Sequence, residues 1–404
     1  MGRWKKHIPE GVQDYLMEEC FHKREIESKL RDFFYRWGYD EIETPTFEYY
    51  DVFSSGIGSV RQEQMLKFID HHGRILVLRP DITMPIARLV ATKLRDYPIP
   101  LRLCYLCNAF GYNATQAGNL REFTQAGIEL LGLEGTEADA EVISLAIMAL
   151  KDIGLSNFQI DIGQVDFFKG LMEEAGVTDD EAEEIRQYVD QKNMLAIDLL
   201  LKDSPISQHV KRKIMELPSL YGGPEVLENA QKMTENKRCK KAIDNIHQVY
   251  EILKDFGLKD YISIDLGMVQ SIDYYSGIIF RGITSELGFP ILAGGRYDQL
   301  VKEFGYDLPA TGFAMGIKRL LMALERQGNL ENMPGIDVLA GYHPEVRQKA
   351  LSYIQDLRAK GKRVEVYLGK MDKTAFIRYA SRKKIPKAIL IGPPDCTIEV
   401  VMDT

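Results

Sequence analysis

Arg121-Glu122-Phe123-Thr124-Gln125-Ala126-Gly127-Ile128-Glu129 is the stretch on which the reading of the chain turns. Its strand-like part runs from Thr124 to Leu131, and a polar loop containing Gly118 precedes it. On the far side of that loop lies a second alternating run, Leu101–Tyr112. Two such runs with a turn-forming connection predict a pair of antiparallel strands. Side chains on a strand repeat every two residues, so Phe123, Gln125 and Glu129 share one face. A carboxylate and an amide presented together from a sheet face suit a polar ligand.

The pattern extends outward from there. Residues 17–37 place Ile26, Leu30, Phe33, Phe34 and Trp37 near helical spacing. An extended stretch, Tyr39–Tyr49, carries Pro45, which suits an edge or an interface rather than a sheet centre. Lys67–Asp70 and Ile75–Arg79 flank a turn with Gly73, a hairpin pattern. Beyond the central pair, Glu137–Ile153 reads as a helix, and Phe158, Ile160 and Ile162 alternate as a strand. From about 168 to 256, charge and helical periodicity dominate, as in an inserted helical unit. Strands resume at Tyr261–Val269, Gly277–Ile283 and Ile291–Ala293, and Gly312–Arg326 reads as a helix.

Residues 1–328 are therefore expected to form an α+β domain, an antiparallel sheet flanked by helices with a helical insertion. Asn329–Gly335 has linker composition. In 334–404, strands at Val338–Gly341, Val364–Leu368 and Ala388–Gly392 alternate with helices, which predicts a small α/β domain with parallel pairing.

Composition narrows the class. A chain of 404 residues with 45% hydrophobic and 27% charged residues is ordinary for a globular protein of two or three domains. No apolar run reaches the length of a membrane span, and the polar start lacks a secretory h-region, so a soluble cytoplasmic protein is expected. The five cysteines are scattered, which argues against a disulfide framework. Cys104 and Cys107 lack further metal ligands nearby and lie in a strand pattern, so two packed core thiols facing opposite sides are expected, with no metal. The formal charge of -8 disfavours a general affinity for nucleic acid. Residues 334–404 differ, with 13 Lys and Arg against 8 Asp and Glu. A solvated face and a surface for RNA or an acidic partner both fit that excess.

Three more segments concentrate polar residues: Leu78-Arg79-Pro80-Asp81-Ile82-Thr83, Ile264–Gly277 with Tyr274-Tyr275, and Ala293-Gly294-Gly295-Arg296-Tyr297-Asp298 with Thr311–Leu320. Taken in order, from Pro9-Glu10-Gly11 and Gly38-Tyr39-Asp40 through Arg319, the set resembles the histidyl-tRNA synthetase family of class II synthetases. The C-terminus resembles a shortened anticodon-binding domain. The resemblance implies an amino-acid pocket at Asp81, Thr83, Gln125, Glu129 and Tyr275, with Tyr274 beside it. Asp81, Thr83 and Gln125 offer acceptors to an α-ammonium, and Glu129 and Tyr275 pair the two imidazole nitrogens of histidine.

The nucleotide side departs from the family pattern. Motif 2 of the family reads Phe-Arg-Tyr-Glu, and this chain reads Phe110-Gly111-Tyr112-Asn113. Asn119 stands where the motif-2 loop offers another Arg, and Gln270-Ser271 replaces an Arg-Gly. Only the motif-3 arginine, Arg319, is kept. The resemblance thus implies a degenerate ATP site, no catalysis and no cofactor. It points to non-catalytic relatives that respond to L-histidine and partner a short catalytic ATP phosphoribosyltransferase subunit, as a dimer within a hetero-octamer, without binding tRNA. A divergent synthetase and a synthetase-like RNA- or protein-binding regulator are the other readings.

Overall fold

The structure, a computed structural model, describes residues 4–403 apart from 55, 57, 59, 113–119, 203, 205, 270–273, 370–371 and 394–396. The chain divides into two compact units, residues 1–330 and 331–404.

The first unit opens with α1 (Met17–Arg36), β1 (Asp40–Glu41), β2 (Phe47–Tyr49) and α2 (Asp51–Ser54). Next come β3 (Lys67–Ile69), β4 (Ile75–Leu78), α3 (Thr83–Lys93), β5 (Leu101–Phe110), β6 (Glu122–Leu131), α4 (Thr136–Asp152) and β7 (Gln159–Gln164). A helical excursion follows: α5 (Val165–Ala175), α6 (Asp179–Asp190), α7 (Met194–Lys202), α8 (Gln208–Glu216), the short β8 (Tyr221–Gly222), α9 (Glu225–Met233) and α10 (Lys237–Asp255). The chain returns through β9 (Ile262–Asp265), β10 (Ile278–Ile283), β11 (Leu292–Arg296), β12 (Ala310–Gly316) and α11 (Ile317–Gln327).

Among the described residues, the main sheet has nine strands in the order β1-β5-β6-β12-β11-β10-β7-β9-β8. Its centre is antiparallel, while β1 with β5 and β7 with β9 pair in parallel. The period of two sorts the strands' side chains onto two faces. Cys104, Ala126, Ile128 and Leu130 join a core with α1, α4, α10 and α11. Leu103, Tyr105 and Cys107 join another with Ile86 and Val90 of α3 and with Tyr297 and Leu300. The two thiols of the C-x-x-C pair thus lie in different cores. Burial pushes them up, to about 12 for Cys104 and about 11 for Cys107.

Two boundaries differ from the sequence reading. Gly312–Arg326 is not one helix: β12 runs to Gly316 and α11 begins at Ile317. Threaded between β6 and β11, the segment is held by ladder hydrogen bonds that outweigh its run of helix-compatible residues. The strand predicted over Tyr261–Val269 stops at Asp265, where Oδ1 accepts the Gly267 N–H at 3.0 Å and turns the chain.

Before α3, β2-β4-β3 form a separate three-stranded antiparallel sheet. Phe47, Tyr49, Phe68, Ile69 and Ile75 on it are exposed, Ile69 at 71%.

The second unit comprises β13 (Val338–Tyr342), α12 (Arg347–Ala359), β14 (Val364–Val366), α13 (Lys373–Arg382), β15 (Lys387–Gly392) and β16 (Thr397–Asp403). Its sheet order is β14-β13-β15-β16, with parallel pairing except for β16, a final strand that the sequence reading did not place. No helix among the described residues is long and apolar enough to cross a membrane.

Candidate functional site

A cavity of about 840 Å³ opens on the face of the main sheet that carries the odd-numbered residues of β6. Asp81, Thr83, Gln125, Glu129, Tyr274, Tyr275 and Arg319 all line it, although they come from four separate stretches of the chain.

Each is placed by local structure. Just before Asp81, the buried Arg79 guanidinium donates to the carbonyls of Asn108 (2.8 Å), Pro45 (3.2 Å) and Thr44, which fixes the exit from β4. Asp81 then precedes α3, and its Oδ1 accepts the Met84 N–H at 2.9 Å. This carboxylate satisfies an orphan donor of the first helical turn, and the turn in turn aims it. Gln125 and Glu129 follow from the β6 register, opposite Gly316 and Gly312 of β12.

Glycines carve the floor. A Cβ at Gly312 would lie 1.9 Å from Glu129 Oε2, and one at Gly295 would lie 2.8 Å from the Tyr275 ring. The space that a Cβ at Gly127 would need holds the Tyr105 hydroxyl, 2.4 Å away. Larger residues at these points would displace the carboxylate or the ring.

The electrostatics of this end are acidic. Glu129 is 1% exposed. Its carboxyl is pushed up to about 8, by burial first; hydrogen bonds from Tyr297 and Thr83 oppose the rise and the neighbouring Asp81 adds to it. Burial also raises Asp81, against the pull of the Met84, Thr83 and Ile82 N–H groups. Burial and the same two acids keep Tyr275 protonated. Tyr274 and Tyr275 meet edge to face with centroids 4.9 Å apart. The buried Glu129 and the half-buried Asp81, with tyrosines and a threonine around them, form a site for a cation or a hydrogen-bond-donating ring.

At the other end, Lys318 forms an ion pair with Glu19. Arg319 donates to the Pro290 carbonyl at 2.7 Å and lies over the Phe289 ring, 5.3 Å from its centroid. Burial lowers its pKa.

Sequence reasoning missed Tyr297, whose hydroxyl donates to Glu129 Oε2. Its signal was present in the quoted Gly-Gly-Arg-Tyr-Asp run. Arg296 beside it is buried and bonds Asp139 at 3.0 Å, Asp298 at 3.0 Å and the Leu133 carbonyl at 3.1 Å, anchoring the end of β11 to the start of α4.

The expected nucleotide-side positions separate from this cluster. Gly111 is buried with its N–H on the Arg121 carbonyl at 2.9 Å, and it does not line the cavity. Among the described residues, a Cβ there would meet only the Gln64 carbonyl, at 3.6 Å. Asn113, Asn119 and Gln270 lie outside the described residues.

A nine-stranded sheet that gathers this residue set into one cavity defines a histidyl-tRNA synthetase-type class II domain, and the histidyl-tRNA synthetase family model matches residues 11–320. In fold the chain is similar to histidyl-tRNA synthetase from a Nostoc species, with a TM-score of 0.82 at 20% identity over 98% of this chain and 97% of that one. A solved structure from Bacillus halodurans, described as an ATP phosphoribosyltransferase regulatory subunit/histidyl-tRNA synthetase, is 33% identical with a TM-score of 0.86, covering 97% of this chain and 100% of that one. The ATP phosphoribosyltransferase regulatory subunit of Acetivibrio thermocellus is 50% identical over 95% of this chain and 92% of its own length. That of Ruminiclostridium cellulolyticum is 45% identical over 98% and 94%. The chain belongs to the ATP phosphoribosyltransferase regulatory subunit family.

Proposed function

We propose that this chain is the histidine-sensing, non-catalytic subunit of an ATP phosphoribosyltransferase. It works with a short-form catalytic subunit on the first step of histidine biosynthesis, in the cytoplasm. The observation that carries the reading is the convergence of Asp81, Thr83, Gln125, Glu129 and Tyr275 on one cavity. The α-ammonium of L-histidine meets Asp81, Thr83 and Gln125. The imidazole bridges Glu129 and Tyr275, with Tyr274 against that ring and Tyr297 holding Glu129 in place.

The phosphate side supports the non-catalytic half. Adenylation needs preorganised positive charge at developing anionic oxygens, and losing one donor costs roughly two to three orders of magnitude in rate. Positions 111, 113, 119 and 270 carry Gly, Asn, Asn and Gln, which leaves Arg319 of the nucleotide-side set. The chain therefore does not activate histidine or charge tRNA. The 331–404 unit is an anticodon-binding-like domain without that duty.

Regulation requires a ligand that distinguishes two states of the complex. Histidine favours the inactive state, and by linkage the substrates of the catalytic subunit weaken histidine binding by the same factor. Self-association uses the exposed apolar residues of the sheet β2-β4-β3, where Phe47 and Phe68 meet edge to face with centroids 5.7 Å apart, a surface of the kind that marks an interface. By the family resemblance this dimer sits within a hetero-octamer.

The test is feedback inhibition of the reconstituted complex. Glu129→Gln and Tyr275→Phe are expected to abolish or strongly weaken inhibition by histidine while uninhibited activity survives. Unchanged inhibition in both variants moves the sensing site elsewhere. Histidine-dependent ATP–pyrophosphate exchange by the purified chain refutes the non-catalytic reading.

A further inference from the structure

We infer that Arg319, in the first turn of α11, reads the carboxylate of the ligand whose amine rests on Gln125, and so sets the preference of the pocket for an amino acid over the amine that lacks the carboxylate. This rests on the assignment of the cavity to histidine.

The place of the arginine follows from strand register. Gln125 of β6 stands opposite Gly316 of β12. Opposed residues of an antiparallel pair send their side chains to the same face, with Cβ atoms about 4.5–5.5 Å apart. Gln125 lines the cavity, so the direction a side chain would take from Gly316 leads into it too. Arg319 fills that direction: a Cβ at Gly316 would lie 3.3 Å from its Cδ and 3.4 Å from its Cγ. The arginine stem thus takes the place beside Gln125 that a side chain at position 316 would hold. Its guanidinium is steadied by the Pro290 carbonyl and the Phe289 ring, both neutral partners.

Charge then orients the ligand along this pair. Among the described residues lining the cavity, the acids are Asp81, Glu129 and Glu303, and the cations are Lys318 and Arg319. In an amino acid the carboxylate carbon lies about 2.5 Å from the amine nitrogen, so an amine on Gln125 keeps the carboxylate near Gly316. Turned toward Asp81 and Glu129, the carboxylate meets like charge. Turned toward the start of α11, it meets a guanidinium and the positive end of the helix dipole. Of the two cations, Lys318 already forms an ion pair with Glu19. Burial lowers the pKa of Arg319, and an anionic ligand group acts against that loss. A guanidinium also matches both oxygens of a carboxylate, which an ammonium does not.

The experiment is calorimetric titration of the full chain with L-histidine and with histamine, which has the ring and the amine and lacks the carboxylate. The proteins compared are the wild type, Arg319→Gln and Arg319→Lys, each checked for folding by thermal melting. The wild type is expected to bind histidine at least about tenfold more tightly than histamine, as a charge-assisted pair requires. Arg319→Gln is expected to weaken histidine at least about tenfold and to leave histamine within about threefold, and Arg319→Lys to recover part of the preference. Equal affinity of the wild type for the two probes overturns the inference, whether or not the variants fold. So does Arg319→Gln weakening both probes alike, which marks a structural role, or weakening neither. All three results leave the assignment of the pocket intact. Failure of both probes to bind the wild type overturns that assignment, and the inference with it.

Discussion

Replacing Glu129 by Gln keeps the shape of the site and removes a strongly displaced titration. In the folded chain this carboxyl is 1% exposed and holds its proton up to about pH 8, against 4.5 when free. A carboxyl raised in this way binds its proton more tightly in the folded state than in the unfolded one. Its stabilising contribution is complete below about pH 4.5 and is lost as pH rises toward 8. At about 1.36 kcal/mol per pH unit, the whole span amounts to roughly 5 kcal/mol at most. A window from about pH 5.5 to 8.5 captures roughly 3 kcal/mol of it. Domain stabilities are about 5–15 kcal/mol, so the effect is large enough to measure. Urea unfolding of the wild type and E129Q across that window is the assay. Asp81, Asp139 and Asp265 are also raised by burial, but they are present in both proteins and largely cancel in the difference. The wild type is expected to lose stability relative to the variant steadily as pH rises. Parallel stability curves would refute the reasoning, because they would mean that Glu129 is solvated or already ion-paired.

Three further outcomes are expected. Gly312→Ala places a methyl group 1.9 Å from Glu129 Oε2 and 2.4 Å from the Ile128 carbonyl; it should cost roughly 1–3 kcal/mol in denaturant and abolish histidine binding by calorimetry, so undiminished binding contradicts the cradle. Arg296→Met strands the Asp139 carboxylate, which is 2% exposed, and should cost roughly 3–5 kcal/mol; a midpoint shift worth under about 1 kcal/mol contradicts it. Gly111→Arg should leave pyrophosphate exchange absent in the purified chain, because one arginine does not restore the lost set, and appearance of exchange contradicts that.

Much of this was legible in the sequence because its signal is local. The alternation around Gln125 and Glu129 set which residues share a side of β6, and the structure puts both on the cavity. The helix at Ile26, Leu30, Phe33 and Phe34 showed in spacing, and all four residues are buried. Tyr297 was harder to read, since its partner Glu129 lies 168 residues away and only the folded sheet joins them. The strand Ala310–Gly316 was misread for a similar reason. Its flanks β6 and β11 supply the hydrogen bonds, and its own Gly and Ala residues carry little strand preference. The glycine cradle was invisible at the sequence level, because a glycine opposite a carboxylate reads the same as any other glycine until the register is known.

The energetic character of the pocket bears on its role. A buried acid beside a half-buried one, with no ion-paired cation shown at either, is a poor way to stabilise a fold. Asp81 and Glu129 are both displaced upward by burial, so the empty site works against folding near neutral pH and above. Well-packed apolar residues of similar size would serve the core better. What such a site gains is a large difference between empty and filled states. A ligand bringing a positive amine and a donor ring relieves the acids and stabilises the state it binds by an amount that grows with its concentration over Kd. That difference is the quantity a regulatory subunit needs, since a ligand shifts an equilibrium only by its differential affinity for the two states. A catalytic pocket directs the same binding energy at a transition state instead. The acidic end of this cavity, without the arginines of a nucleotide grip in its sequence, suits concentration sensing rather than turnover.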